Sequence, residues 1–163
     1  MNIFFTGAIR GGRRDQPIYA SIVEMLEKYG TVFSKHVADD TLSKYGETSL
    51  AYKDILEREL HSLEQCDVVV AEVTTPAHGV GYLIGRATSL GKRVIALHHG
   101  EYALKLTGII QGDSKVEIYT YKNEADVEKI LEKMKEETKV PDFLSNWYKN
   151  IVIRSYKKNN SDH

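Results

Sequence analysis

Cysteine is nearly absent from this chain of 163 residues: Cys66 is the single one. One cysteine closes no intrachain disulfide and builds no Cys-based zinc or redox motif. An excess of one charge sign is missing too, because 22 Lys and Arg stand against 23 Asp and Glu, a formal net charge of -1. That balance excludes a globally basic nucleic-acid binder and a strongly acidic disordered chain. No apolar run reaches the roughly 18 residues of a membrane span, and in MNIFFTGAIRGGRR the charge follows the apolar stretch. No membrane or secretory signal is read there, so the expected setting is soluble and reducing: the cytoplasm, or the nucleus in a eukaryote. What is present suits an ordinary globule, with 42% hydrophobic and 28% charged residues.

Short apolar runs alternate with longer amphipathic stretches, the pattern of an α/β protein. NIFFT (residues 2–6), TVFSKHV (31–37), DVVVAEV (67–73), Arg93 to Leu97 and Val116 to Tyr119 read as five strands. Between them, helices are expected from Ile18, capped by Asp15 and ended near Gly30; over Ser49 to Gln65, with Leu56, Leu60 and Leu63 on one stripe; and over Gly79 to Leu90. A looser segment spans Tyr102 to Gly112, and a last charged helix runs near Asn123 to Glu137. The fold expected is an open parallel sheet of about five strands with helices on both faces. Residues 1–138 form its domain, and 139–163 form an extension that reads equally as docking helix, dimer element or frayed end. Ligands of such sheets bind beyond the carboxyl ends of the strands, near the switch in strand order.

Residues just after the strands therefore carry the functional reading. GAIRGGRR follows the first strand and precedes a helix; Gly7, Gly11 and Gly12 permit tight turning, and Arg10, Arg13 and Arg14 gather positive charge. Such a loop suits an anion, although it is neither a Walker loop nor the dinucleotide fingerprint. TTPAHGVGYLIG, after the third strand, offers Thr74, Thr75 and His78, and its glycines 79, 81 and 85 suggest close approach to sheet or ligand. Glu72 interrupts an apolar strand near its carboxyl end, Glu59 lies beside an apolar stripe, and Tyr19 lies one turn inside the first helix. Asp39 and Asp40 are read as sugar ligands or arginine partners. His98 and His99 have no ligand constellation around them, and no metal site is expected.

The loop GAIRGGRR, the segment YGTVFSKHV and the run CDVVVAEVTTPAHGVGYLIGRATSLGKRVIAL together resemble the 2'-deoxynucleoside 5'-phosphate N-hydrolases, relatives of the nucleoside 2-deoxyribosyltransferases. The resemblance covers about Ile3 to Val127. It implies a homodimeric Rossmann-like hydrolase that cleaves the N-glycosidic bond of a small-molecule nucleotide, giving free base and 2-deoxyribose 5-phosphate. It implies no cofactor, no metal, no nucleic-acid polymer and no membrane. On this likeness the nucleotide cleft is lined by Gly7, Ile9, Arg10, Gly11 and Arg13, with Gly79 in the second loop. Tyr19 takes the place of the family's active-site tyrosine, and Glu59 that of an aspartate. Thr107 takes the place of a hydroxyl that reaches the phosphate from the neighbouring subunit.

Two positions depart from the pattern. Where the family carries its catalytic glutamate, GVGYLIG places Leu83; where it carries a phosphate-binding serine, this chain has Ala77. Leucine neither attacks an anomeric carbon nor exchanges a proton. Three readings stand side by side: a divergent hydrolase using Glu72 or Glu59 as its carboxylate, a catalytically silent nucleotide binder, and a substitution introduced deliberately. The loss at Ala77 fits a changed substrate, such as an unphosphorylated nucleoside for an N-glycosidase or a deoxyribosyltransferase.

Overall fold

The opening apolar run becomes strand β1 (Asn2–Thr6), whose residues from Ile3 onward are buried. A buried centre of this kind demands cover on both faces and partners on both edges, and β1 has them. The structure, a computed structural model describing residues 1–101 and 105–138, holds one parallel five-stranded sheet in the order β2-β1-β3-β4-β5. The other strands are β2 (Thr31–Phe33), β3 (Val68–Glu72), β4 (Arg93–His99) and β5 (Val116–Tyr121). Ile3 pairs with Val32 on one side and Val68 on the other, so β1 sits inside the sheet. The order reverses between β1 and β3, and the loops leaving those two strands flank the crevice where open α/β sheets take ligands.

Side chains alternate across each strand. Phe4, Val69, Ala71 and Ala96 share one core with Leu63 of α2 (Tyr52–Gln65) and with Val80, Ile84 and Ala87 of α3 (His78–Ser89). Phe5 faces the other way, its ring 5.9 Å from that of Tyr19 on α1 (Gln16–Glu27). On that side α1 is tied to α5 (Glu124–Thr138) by Ser21–Glu124 and Lys28–Glu128 contacts. The short α4 (Gly108–Gly112) precedes β5. The chain divides into two units, Met1–Leu131 and Glu132–His163. Sheet, crevice and site all belong to the first; the described part of the second, residues 132–138, is helical.

Several expectations are corrected. The second strand stops at Phe33 because Ser34 turns left-handed (φ 59°), and Lys35–Ala38 follow as a 3₁₀ turn, η1. Asp15 stands at the start of α1 but makes no side-chain cap, its carboxylate being used elsewhere. Gly30 does not end α1, which stops at Glu27. A Cβ at Gly30 would lie 1.9 Å from the Met1 carbonyl oxygen, the acceptor for the Thr31 N–H, so glycine lets β2 reach β1. Helix α2 begins at Tyr52, three residues later than expected, and Leu56 is 41% exposed, so the buried stripe starts below it. Residues 102–104 and the extension from Lys139 lie outside the described residues.

Candidate active site

At the switch point the two loops touch. A Cβ on Gly11 would lie 2.9 Å from Thr75 Cγ2 and 3.0 Å from the Pro76 oxygen, so the glycine loop reaches the 74–77 loop only without a side chain there. The Thr75 hydroxyl donates to Asp15 Oδ2 at 2.5 Å, and Arg14 Nε pairs with Oδ1 at 3.1 Å. Beneath the loop, the Tyr19 ring would press on a Cβ at Gly7 from 3.0 Å, and its hydroxyl accepts the Ala8 N–H at 3.2 Å. Tyr19 is fully buried; burial first, then the nearby Glu72 carboxylate, raise its phenol above the ordinary tyrosine range. It is a strut under the loop, not a group standing in solvent.

The loop arginines are engaged with η1 and the irregular segment that follows it. Arg13 donates to the Val37 oxygen at 2.9 Å and the Asp39 oxygen at 2.6 Å, and Gln16 donates to the Ala38 oxygen at 2.5 Å. Arg10 donates through Nε to the Tyr45 oxygen at 3.2 Å, and its guanidinium lies 5.5 Å from the Tyr52 ring centroid. Ile9 is half-buried, 3.7 Å from where a Cβ on Gly46 would lie. The Asp39 side chain folds onto Thr41 N and Oγ1, whose hydrogen bonds hold its carboxyl below the usual range; the arginine contact runs through the Asp39 backbone instead.

The carboxylates part company. Glu72 has no exposed surface; it accepts from the Thr74 hydroxyl and from Tyr121 Oη at 3.0 Å. Burial raises its carboxyl above the ordinary range despite those donors. It points to the α1 face of the sheet, under the loops, and Thr74 in turn accepts the His99 N–H at 2.8 Å. Glu59 is buried on α2, where Ser34 Oγ donates to it at 2.5 Å and Arg58 at 2.7 and 2.9 Å. The left-handed turn at Ser34 is what aims that hydroxyl. Arg58 also grips Glu47 at 2.5 and 2.7 Å, and this pairing holds the Glu47 carboxyl below its usual range. His36 Nε2 lies 3.5 Å from Glu47 and 3.6 Å from Glu59, yet burial outweighs both acids and lowers its pKa.

Leu83 is partly buried against the core that includes Val80 and Ile84, and Ala77, at the start of α3, supplies no hydroxyl. Gly79, Gly81 and Gly85 do not serve close packing among the described residues, since a Cβ at each would meet none of them within 4 Å. His78 is exposed, and His98 is buried at the end of β4. Thr107 is exposed at the head of α4, its hydroxyl accepting the Ile109 N–H at 3.4 Å. Among the described residues no cluster of three or more His, Cys, Asp or Glu is arranged for a metal, and no helix is long and apolar enough to cross a membrane. Sequence reasoning missed the Arg58–Glu47 pair, the Tyr121 link to Glu72 and the Arg10–Tyr52 contact. These join distant positions, and spacing within one element gives no sign of them.

A parallel sheet with loops meeting at its switch point defines the open α/β class of proteins, which take their ligands there. The family profile described as nucleoside 2-deoxyribosyltransferase matches residues 3–140, and the chain belongs to that family. It is 43% identical over 134 residues to a 5-hydroxymethyl-dUMP N-hydrolase of Danio rerio, covering 81% of this chain and 94% of the relative. The Homo sapiens protein of the same name is 39% identical over 135 residues, covering 80% and 77%. Among solved structures, the CMP N-glycosidase BcmB of Clostridium botulinum superposes with a TM-score of 0.56 at 20% identity, covering 80% of this chain and 98% of that one, a likeness of fold.

Proposed function

We propose that this chain binds 2'-deoxynucleoside 5'-monophosphates at the β1–β3 switch point and hydrolyses their N-glycosidic bond slowly, releasing free base and 2-deoxyribose 5-phosphate. The observation that carries this is the seating of the glycine loop directly on the 74–77 loop, fixed by Asp15–Thr75 and propped by Tyr19. Loop N–H groups and the start of α3 suit a phosphate, and the remaining guanidinium N–H groups of Arg10 and Arg13 suit its oxygens. In the reaction the C1'–N bond breaks with its electron pair leaving on the base, which takes up a proton. Water adds to C1' and gives up its own proton, and a carboxylate offsets the positive charge on the sugar in between. We assign that role to Glu59, which Ser34 and Arg58 hold in one orientation, while Glu72 supports the loops from below. The working unit is a cytoplasmic homodimer in which Thr107 of the partner subunit approaches the phosphate.

The slowness follows from Leu83, which leaves α3 without an acid facing the crevice. Incubation with the four deoxynucleoside monophosphates, with base release followed by chromatography, tests this; rapid turnover by the unmodified chain refutes it. Leu83→Glu is expected to raise base release by at least about a hundredfold, within the usual contribution of one positioned acid–base group. A second reading, a nucleotide binder without catalysis, is favoured by Glu59 and Glu47 both being tied to Arg58. Tight calorimetric binding with no detectable base release selects it.

A further inference from the structure

Tyr52 opens α2 with 74% of its surface exposed, more than Tyr45 at 64% or Tyr82 at 50%. One face of the ring is turned to the glycine loop, where the Arg10 guanidinium covers it at 5.5 Å. Arg10 and Tyr52, with Glu47, Thr48 and Leu50, line an open cleft of about 260 Å³. That is many times the space one water needs, ample for one planar ring.

A guanidinium and a nucleobase are both flat, and both are held on an aromatic face. They compete for the same place. We propose that Tyr52 is the base-stacking, specificity-determining residue of this chain: the heterocycle of a bound nucleotide takes the ring face that Arg10 occupies in the free protein, and Arg10 turns to the nucleotide's phosphate. The exchange gives each group a better partner. The guanidinium trades a cation–π contact and one carbonyl, Tyr45 O, for a charge-assisted fork on phosphate, and the ring trades a hydrated cation for a broad π-surface. Base and phosphate are thereby read together, because each releases the contact that blocks the other. This inference rests on the nucleotide reading above.

Calorimetric titration of the full chain with dGMP and with 2-deoxyribose 5-phosphate tests it in the wild type, Tyr52→Ala and Tyr52→Phe. Both substitutions fall at an exposed position outside the core, and a thermal melt checks that the variants are folded. Tyr52→Ala is expected to weaken dGMP binding by about tenfold, with binding of the sugar phosphate undiminished, and Tyr52→Phe to retain the wild-type affinity for dGMP. Equal weakening of both ligands by Tyr52→Ala, or no weakening of either, overturns the inference. A wild type that binds the sugar phosphate as tightly as dGMP overturns it too, while leaving the phosphate site standing. A wild type that binds neither overturns the nucleotide reading as well.

Discussion

A carboxylate with no exposed surface is expensive to ionise, and Glu72 is partly compensated by two hydroxyl donors, Thr74 and Tyr121. Its native pKa stays above the ordinary 4.5, with burial as the largest cause. The native state therefore holds the Glu72 proton more tightly than the unfolded chain does, so stability falls as pH rises from about 4.5 through the native value. Glu47 acts in the opposite sense: Arg58 depresses its pKa, so its contribution is present above the unfolded value and fades as pH falls through the native one. Subtracting one variant from the wild type isolates the first effect. Glu72→Gln, whose amide oxygen still accepts from Tyr121, is expected to gain stability relative to wild type as pH rises above about 4.5. Each tenfold difference in native proton affinity adds about 1.4 kcal/mol. Urea midpoints across that range are the measurement, and a difference independent of pH contradicts the assignment. Cys66 needs no such trial: burial pushes its thiol up to about 11, and it donates to the Leu63 oxygen within the core.

Between elements, the glycine loop acts as a hub. It rests on the 74–77 loop through Gly11 and reaches the 37–45 segment through two arginines. Gly11→Ala forces its Cβ against Thr75 Cγ2 and the Pro76 oxygen; rotation of Thr75 relieves only the first and breaks the bond to Asp15. The expected result is a loss of about 1–2 kcal/mol in denaturant unfolding together with weaker nucleotide binding by calorimetry. Arg13→Ala leaves the Val37 and Asp39 carbonyls to water, at an expected cost of about 1 kcal/mol, reduced from the usual charged value because the Asp39 end is exposed. Much at this scale was legible in advance. The five strands, the helices between them and the two loops at the crevice all follow from periodicity and turn residues. The end of β2 did not, because the left-handed Ser34 is an ordinary serine in a continuous strand pattern, and the partner of its hydroxyl, Glu59, lies 25 residues away. Glu72 was legible as an odd acid in an apolar strand. The face to which it pointed depended on Tyr121 and Tyr19, which only the assembled sheet brings near.

For the molecule as a whole, the proposed homodimer predicts a light-scattering mass of twice 18.5 kDa, with a melting temperature that rises with protein concentration. Thr107→Ala is expected to weaken phosphate-bearing ligands while leaving that mass unchanged, the exposed hydroxyl accepting the local Ile109 N–H. A monomer at all concentrations contradicts this arrangement.

The position of β1 inside the sheet also bears on how the protein is made. Its Asn2 N–H closes on the Asp67 carboxylate 65 residues away, at 2.7 Å, and its inner edge pairs with β3. At synthesis rates of about 5–20 residues per second, the two phenylalanines leave the ribosome roughly 3–13 s before that partner strand exists. Until then β1 has only β2 to pair with, and its other apolar edge stays open, the kind of segment that chaperones hold and that neighbouring nascent chains pair with. Arrival of Val68–Glu72 closes that edge, and the same pairing brings the two crevice loops together.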